Sequence, residues 1–277
     1  MHFVVCLKQV PDSSEVRIDP KTNTLMREGV PSIINPYDAH ALEEAIRLKE
    51  KVGGKVTIVT MGPPQAKEAL RKAMSFGADR AILLTDRAFG GSDSLATAYI
   101  ITQAILKIHE TDPVDLVLAG KEAIDGDTAQ TGPGIATRLG FPQLTYVIKV
   151  TDITSDTITV HRKLETGREV VQAKLPALLT VEKELNELRY ASLPNMMNAA
   201  AYEPEIVTAN SFEFDVTQMG LKGSPTSVNK IFAPPARSGG EKLDGTKDPK
   251  GVAAQLVEKV FQENIVMVSP DAKGGNR

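Results

Sequence analysis

The 277-residue sequence has no tryptophan, one cysteine and four histidines, and each shortage removes a class of chemistry. A single thiol, Cys6, excludes a disulfide within the chain. With His2, His40, His109 and His161 scattered, no spacing suits a metal cluster. A chain without disulfides fits a reducing compartment, so a cytoplasmic location is expected. Long apolar runs are missing as well. Nothing approaches the roughly 18 residues of a membrane span, and the opening run Phe3-Val4-Val5-Cys6-Leu7 turns polar at Lys8-Gln9, too early for the core of a secretory leader. Neither sign of charge dominates, with 32 Lys and Arg against 35 Asp and Glu, and no basic stripe points to nucleic acid. The sequence also lacks a Gly-x-Gly-x-x-Gly turn after a strand, a Gly-Lys-Ser/Thr phosphate loop and a Gly-x-Ser-x-Gly elbow. Side chains alone therefore supply no catalytic apparatus, and redox chemistry would have to come from a bound cofactor.

What is present is the material of a soluble globular fold. Hydrophobic residues make up 42% and charged residues 24%, enough for a sizeable core. Phe3–Leu7, Lys55–Met61, Arg80–Thr85 and Val114–Ala119 are continuous apolar runs, the pattern of parallel strands covered on both faces. Helices alternate with them. One starts at Asn35-Pro36, one runs from Pro63-Pro64 to Gly77, one is capped by Ser92 or Asp93, and one spans Thr128 to Gly140. The alternation predicts an α/β fold with a doubly wound parallel sheet. Thr145–Ile153, Thr157–Leu164 and Arg168–Ala173 predict a small antiparallel element, before Leu178–Val181 returns to a buried strand. From Leu185 to about Pro204 no periodicity is legible. Residues 233 to 251 have the composition of a linker, and Val252, Leu256, Val257, Val260 and Phe261 form one face of a terminal helix. The expected division is a nucleotide-binding body over 1–232 and a linker with a helical arm over 233–277.

In an open α/β sheet, ligands bind beyond the carboxyl ends of the strands, where the strand order reverses. The loops at such ends are Lys8-Gln9-Val10-Pro11, Met61-Gly62-Pro63 and Gly120 to Gln130. The last leaves a buried strand and enters a helix, so its amides and the helix dipole suit a phosphate. Asp125 and Asp127 would repel a phosphate, which assigns them to capping or to donors on ribose and adenine, and leaves phosphate to Thr128, Gln130, Thr131 and the main chain. The residues by themselves leave a nucleotide turn and a merely well-capped turn equally open. Gly90-Gly91-Ser92-Asp93-Ser94 is similar to the pyrophosphate loop of ATP pyrophosphatases, but it follows the third strand and has Phe89 in place of the leading serine. A helix cap is the better reading. Cys6 reads as a small core residue rather than a reactive thiol.

Four segments together resemble the beta subunit of electron-transfer flavoproteins. They are Val4 to Pro11, Asn35-Pro36-Tyr37-Asp38-Ala39 through Ala45, Arg162 to Thr180, and Leu188 to Met197. Thr166 departs from the pattern, standing where glycine or an acid is usual. The resemblance spans residues 1 to about 270. It implies an adenine-nucleotide-hydrolase-like fold, a heterodimer with an alpha subunit carrying a mobile FAD domain, and a beta subunit that holds AMP or a second FAD. It further implies nucleotide contacts at Cys6, Lys8, Asn35, Asp38, Met61, Gly62, Gly120, Ala123, Asp125, Gly126, Asp127, Thr128, Gln130 and Thr131, and a hydrophobic anchor for partner dehydrogenases at Leu193. Asn198-Ala199-Ala200-Ala201 replaces the lysine-rich run of mitochondrial relatives.

The loop Asp125 to Pro133 resembles the flavin-bifurcating group, which carries valine where Thr131 lies. Gly126 and Ala129 remove bulk and permit the close backbone approach that a pyrophosphate needs. The expectation is therefore FAD, reduced by NADH, with one electron passed to ferredoxin or flavodoxin. The other would go through the alpha-subunit flavin to a dehydrogenase or quinone-linked partner, and any membrane association would run through such partners. The alternative is a non-bifurcating subunit that binds AMP structurally and accepts electrons from acyl-CoA dehydrogenases.

Overall fold

A computed structural model of the chain describes residues 1–12, 17–18, 25–26, 31–211, 213–229 and 240–263. The chain divides into two units, residues 1–232 and 233–277. The first is built on a nine-stranded sheet. Its strands are β1 (His2–Cys6), β6 (Lys55–Met61), β7 (Arg80–Leu84), β8 (Leu116–Gly120), β9 (Gln143–Ile153), β10 (Thr157–Leu164), β11 (Gly167–Lys174), β12 (Ala177–Val181) and β13 (Glu205–Val207). Short two-stranded pairs join β2 (Gln9–Pro11) to β5 (Ser32–Ile34) and β3 (Arg17–Ile18) to β4 (Leu25–Met26).

The order across the large sheet is β11-β10-β9-β12-β8-β1-β6-β7-β13. β1 pairs in parallel with both β6 and β8. The chain winds outward from β1 through β6 to β7, then returns to the other side of β1 as β8. The order thus reverses between β1 and β8, where a crevice opens beyond the carboxyl ends. Only β10 runs against its neighbours, pairing antiparallel with β9 and β11, which makes the antiparallel element an extension of the same sheet.

The apolar runs are buried because helices cover both faces. Phe3, Val5, Ile58 and Leu118 point into a cluster with Leu42, Ala45 and Ile46 of α1 (Pro36–Val52) and Leu70 of α2 (Lys67–Met74). Val4, Val59, Ile82 and Val117 point the other way, against Ile100 and Ile105 of α3 (Ser94–Thr111) and Ile135 of α4 (Thr131–Leu139).

Some local readings shift. Asn35 sits at the N-cap position of α1 but makes no side-chain cap; its amide is used elsewhere, as described below. Of the two candidates for capping α3, Asp93 does so, accepting from the amides of Leu95 and Ala96. The stretch after Leu185 is not wholly irregular. It contains α5 (Leu193–Ala200), capped by Ser192 and carrying Pro194 in its first turn, and the edge strand β13. A helix with only Ala199 buried leaves no apolar stripe to read. A further short turn, α6 (Gly220–Gly223), follows.

In the second unit, α7 (Pro249–Gln262) is capped by Asp248, exposes Leu256, Val257 and Phe261, and pairs Lys259 with Glu241. The linker expected from 233 lies outside the described residues as far as 239, as does the tail from 264. Among the described residues no helix is long and apolar enough to cross a membrane.

Candidate functional site

Two side chains from the start of α1 organise the crevice. Asp38, in the first turn, accepts the Lys8 amide at 2.7 Å through Oδ2 and the Gly120 amide at 3.0 Å through Oδ1. It thereby ties the carboxyl ends of β1 and β8 together. Gly120 leaves room for this: a Cβ there would fall 2.3 Å from Asp38 Oδ1. Asn35, fully buried, accepts from the Ile124 amide at 3.2 Å and donates to the Glu122 carbonyl at 2.8 Å, holding the start of the loop after β8. Burial pushes the Asp38 carboxyl up to about 7, against the opposing pull of its bonds from Lys8, Asn35 and Gly120. Burial, with Asp38 nearby, also pushes the Cys6 thiol up to about 12. Cys6 therefore keeps its proton and serves as an apolar wall.

The loop then makes a tight turn in which the Gly126 and Asp127 amides both donate to the Ala123 carbonyl, at 3.1 and 2.9 Å. Asp127 and Ala129 take left-handed conformations, φ 47° and 53°, a strain of the kind that gathers at functional sites. This is why α4 starts at Thr131 rather than at Thr128: two left-handed residues interrupt the helix. The consequence is a row of free donors. Among the described residues the amides of Thr128, Ala129 and Gln130 have no acceptor within the chain, and Gln130 provides no side-chain cap to α4. The left-handed Ala129 followed by right-handed Gln130 is the alternation that turns consecutive amides to one side, forming a concavity for anions. The helix dipole of α4 adds to it.

These parts enclose a cleft of about 360 Å³. Of the residues expected from the sequence, Cys6, Lys8, Asn35, Asp38, Met61 and Gly120 line it from the ends of β1, β6, β8 and the start of α1. Ala123, Gly126, Asp127, Thr128, Gln130 and Thr131 line it from the loop and α4. Three expected residues lie elsewhere. Gly62 gives its amide to the Leu84 carbonyl at 3.1 Å. Asp125 is held by Lys8, whose Nζ lies 2.7 and 2.8 Å from its two oxygens. Leu193 is the first residue of α5 and is 68% exposed. It adjoins Tyr190, Met196 and Met197, also exposed, and the preceding segment is fastened to α1 by Arg189, which binds Glu43 and Glu50.

Sequence reasoning missed one wall of the cleft, made by Phe89 and by Ser92, Asp93, Ser94, Thr97 and Ile101 at the start of α3. The Gly90 to Ser94 stretch both caps α3 and borders the cleft. Ser94, Thr97 and Ile101 stand three and four residues apart, on one helix face, which was the available signal. Lys121 and Glu122 were missed too.

The donor set fits a nucleotide phosphate: free amides, a threonine hydroxyl at Thr128, an uncapped helix start, and open space over Gly126, where a Cβ would meet nothing within 4 Å.

Residues 22–211 match the electron transfer flavoprotein domain. The chain is 51% identical to "Protein FixA" of Azotobacter vinelandii over 269 residues, covering 95% of this chain and 96% of that protein. It is 52% identical over 266 residues to "Electron transfer flavoprotein subunit beta" of Clostridium acetobutylicum, 96% of this chain and all (100%) of the other. It is 50% identical over 271 residues to "Caffeyl-CoA reductase-Etf complex subunit CarD" of Acetobacterium woodii, again 96% and 100%. A sheet that reverses at β1 and β8, a loop strained open beneath it and near-complete matches of this kind have one reading: the chain belongs to the electron transfer flavoprotein family, as a beta-type subunit.

Proposed function

We propose that this chain binds FAD in the cleft and, paired with an alpha subunit, passes electrons from NADH by flavin-based bifurcation. One stream would go to ferredoxin or flavodoxin, the other through the alpha-subunit FAD to a dehydrogenase or quinone-linked oxidoreductase. The observation that carries the reading is the loop from Asp127 to Gln130, with its two left-handed residues and its row of unbonded amides. Such a loop suits a ligand whose backbone comes close, and a pyrophosphate needs more donors than one phosphate does.

In this reading Thr128, Gln130, Thr131 and the adjoining amides hold phosphate, Met61 and Cys6 supply apolar wall, and Asp38 and Asn35 set the loop positions. FAD, when bound, supplies the chemistry of accepting a hydride and releasing single electrons. Leu193, with Met196 and Met197 beside it, is the proposed anchor for the electron-transfer partner, because an exposed leucine among flexible thioethers adapts to an apolar pocket. The relative from Acetobacterium woodii, named for a caffeyl-CoA reductase complex, supports a reductase or dehydrogenase in that role. The complex would work in the cytoplasm.

The nucleotide content of the purified heterodimer tests the proposal. Two FAD per heterodimer, with bleaching of flavin absorbance by NADH, is the expected result; one FAD and one AMP would overturn it. That second outcome is the alternative reading, a non-bifurcating subunit with structural AMP that takes electrons from acyl-CoA dehydrogenases. The cleft volume of about 360 Å³ favours it, being near the low end of the roughly 300–1,000 Å³ of small-molecule sites.

A further inference from the structure

The wall of the cleft at the start of α3 is not held by the sheet alone. Residues 214–226, which follow β13 along the chain and include α6, lie against it as a strap. Its apolar hold is made by Phe214 and Met219. Phe214 meets Phe89 edge to face, ring centres 5.4 Å apart and planes at 66°, and Phe89 itself lines the cleft. Met219 is buried in the same cluster as Phe89 and Ile101. Within 214–226 only Met219 and Gly220 are buried, so apolar burial by itself holds the strap weakly.

The rest of the hold is a lace of hydrogen bonds through small hydroxyls. The Gly220 amide donates to Ser92 Oγ at 3.0 Å. The Asp93 amide donates to Ser224 Oγ at 2.8 Å, and that hydroxyl donates to the Gly220 carbonyl at 2.7 Å. Thr226 gives both its amide and its hydroxyl to Asp93 Oδ2, at 3.2 and 2.9 Å. Strap and wall therefore meet at Asp93, whose Oδ1 caps α3 through the amides of Leu95 and Ala96. Burial raises the Asp93 carboxyl, but the bonds from Ala96, Thr226 and Leu95 outweigh it and hold the group below the usual carboxylate range. The seat is close. A Cβ at Gly220, φ 60°, would fall 2.3 Å from the Ala88 carbonyl oxygen, and one at Gly91 would fall 2.6 Å from Leu221 Cδ2. A segment seated closely, yet with so little buried surface, is one that opens locally while the rest stays folded.

We propose that the strap 214–226 is a latch on the α3 wall, with Ser224 and Thr226 as its positioning residues, and that its opening sets how fast nucleotide enters and leaves the cleft. The inference rests on the nucleotide reading of the cleft above and applies to FAD or AMP alike. Ser224 and Thr226 act through Asp93, which lines the cleft. When the latch opens, Phe89 loses its ring partner and the first turn of α3 is free to swing from the ligand. A gate of this kind works on the empty and the loaded cleft equally, so it changes both rates and leaves affinity nearly constant. Loss of a ligand contact instead changes the dissociation rate and the affinity together.

The test uses the heterodimer stripped of nucleotide and loaded with radiolabelled AMP or, separately, radiolabelled FAD. A chase with the unlabelled compound gives the dissociation rate, equilibrium dialysis gives Kd, and their ratio gives the association rate. The double variant Ser224→Ala with Thr226→Val removes both hydroxyls; Thr226→Val alone serves where the double variant fails to fold; Thr226→Ser keeps the hydroxyl. Each lost hydrogen bond should shift the opening by about 2–10-fold. Both rates should therefore rise, by on the order of fivefold or more in the double variant, with Kd within about twofold and Thr226→Ser matching the parent. A faster dissociation with Kd weakened in proportion overturns the latch, since the hydroxyls would then only support the binding site. Unchanged rates in both valine-bearing variants overturn it as well, and so does a Thr226→Ser variant that behaves as Thr226→Val. A parent complex that binds neither compound overturns the nucleotide reading and the latch with it. One that binds AMP but not FAD overturns the FAD reading alone, and the AMP rates then decide the latch.

Discussion

The ammonium of Lys8, at the end of β1, lies 2.7 and 2.8 Å from the two carboxylate oxygens of Asp125, in the loop that leaves β8. This ion pair joins the two strands between which the sheet reverses, and it stands beside the free amides of the loop. Both side chains are partly exposed, 47% and 32%, so the pair contributes about 0–1 kcal/mol to folding. Its other effect is to keep the Asp125 charge away from a bound phosphate. Asp125→Ala should therefore leave the melting temperature within about 2 °C. Lys8→Met, which frees the carboxylate and removes a cation lining the cleft, should weaken nucleotide binding by about tenfold, or ~1.4 kcal/mol. Calorimetric titration of the two variants with the nucleotide the complex holds checks both statements.

Asp38 makes a prediction about pH. Its carboxyl, raised by burial to about 7 in the folded chain, binds a proton more readily there than in the unfolded chain, where the value is about 3.9. The folded state therefore holds more protons between these values, and stability falls as pH rises across that window. Below about 4 the contribution is fully present, and above 7 it is gone. Asp38→Asn cannot titrate. The urea midpoint of the unsubstituted protein, measured against that of Asp38→Asn, should decline from pH 5 to pH 8. A difference that grows over that range would contradict the assignment. Asp38→Ala leaves the buried Gly120 amide without an acceptor and should cost about 1–3 kcal/mol, with a smaller loss at the part-buried Lys8 amide.

Gly126 and Gly120 separate ligand binding from folding. Nothing lies within 4 Å of a Cβ at Gly126, whereas at Gly120 it would meet Asp38 Oδ1 at 2.3 Å. Gly126→Ala should fold with unchanged stability, to within about 0.5 kcal/mol, yet bind nucleotide several-fold more weakly because the methyl enters the space a ligand would use. Gly120→Ala should lose about 1–3 kcal/mol by overpacking. Thermal melts together with nucleotide retention on a desalting column distinguish the two.

Leu193 is exposed and makes little of the core, so Leu193→Ala should leave stability within about 0.5 kcal/mol. If the residue anchors a partner, the substitution should raise the KM for that partner about tenfold or more, as loss of a buried apolar anchor does, with the rate of flavin reduction by NADH unchanged. Steady-state transfer to the partner, beside stopped-flow reduction, measures each quantity separately. Equal KM values for variant and parent would remove Leu193 from the interface.

How far the sequence reached depended on the range of the interaction concerned. The parallel strands and the helices of the first 140 residues were legible because each is announced locally, by a continuous apolar run or by a cap such as Asp93. The start of α4 was misread by three residues, since an aspartate and an alanine at 127 and 129 give no warning of left-handed backbone. Asn35 had the composition of a cap and was used instead to hold Glu122 and Ile124, almost ninety residues away. α5 escaped notice because it buries one alanine and has no apolar face to repeat.

The sequence by itself determined the fold class and the family, both of which rest on local patterning and motif identity. Only the tertiary structure decided which of those motif residues share one cleft, that the start of α3 forms its other wall, and that Asp125 is engaged by Lys8. Each of these relations joins groups distant along the chain, and their distances and desolvation are set by sheet order and register, which no local stretch of residues encodes.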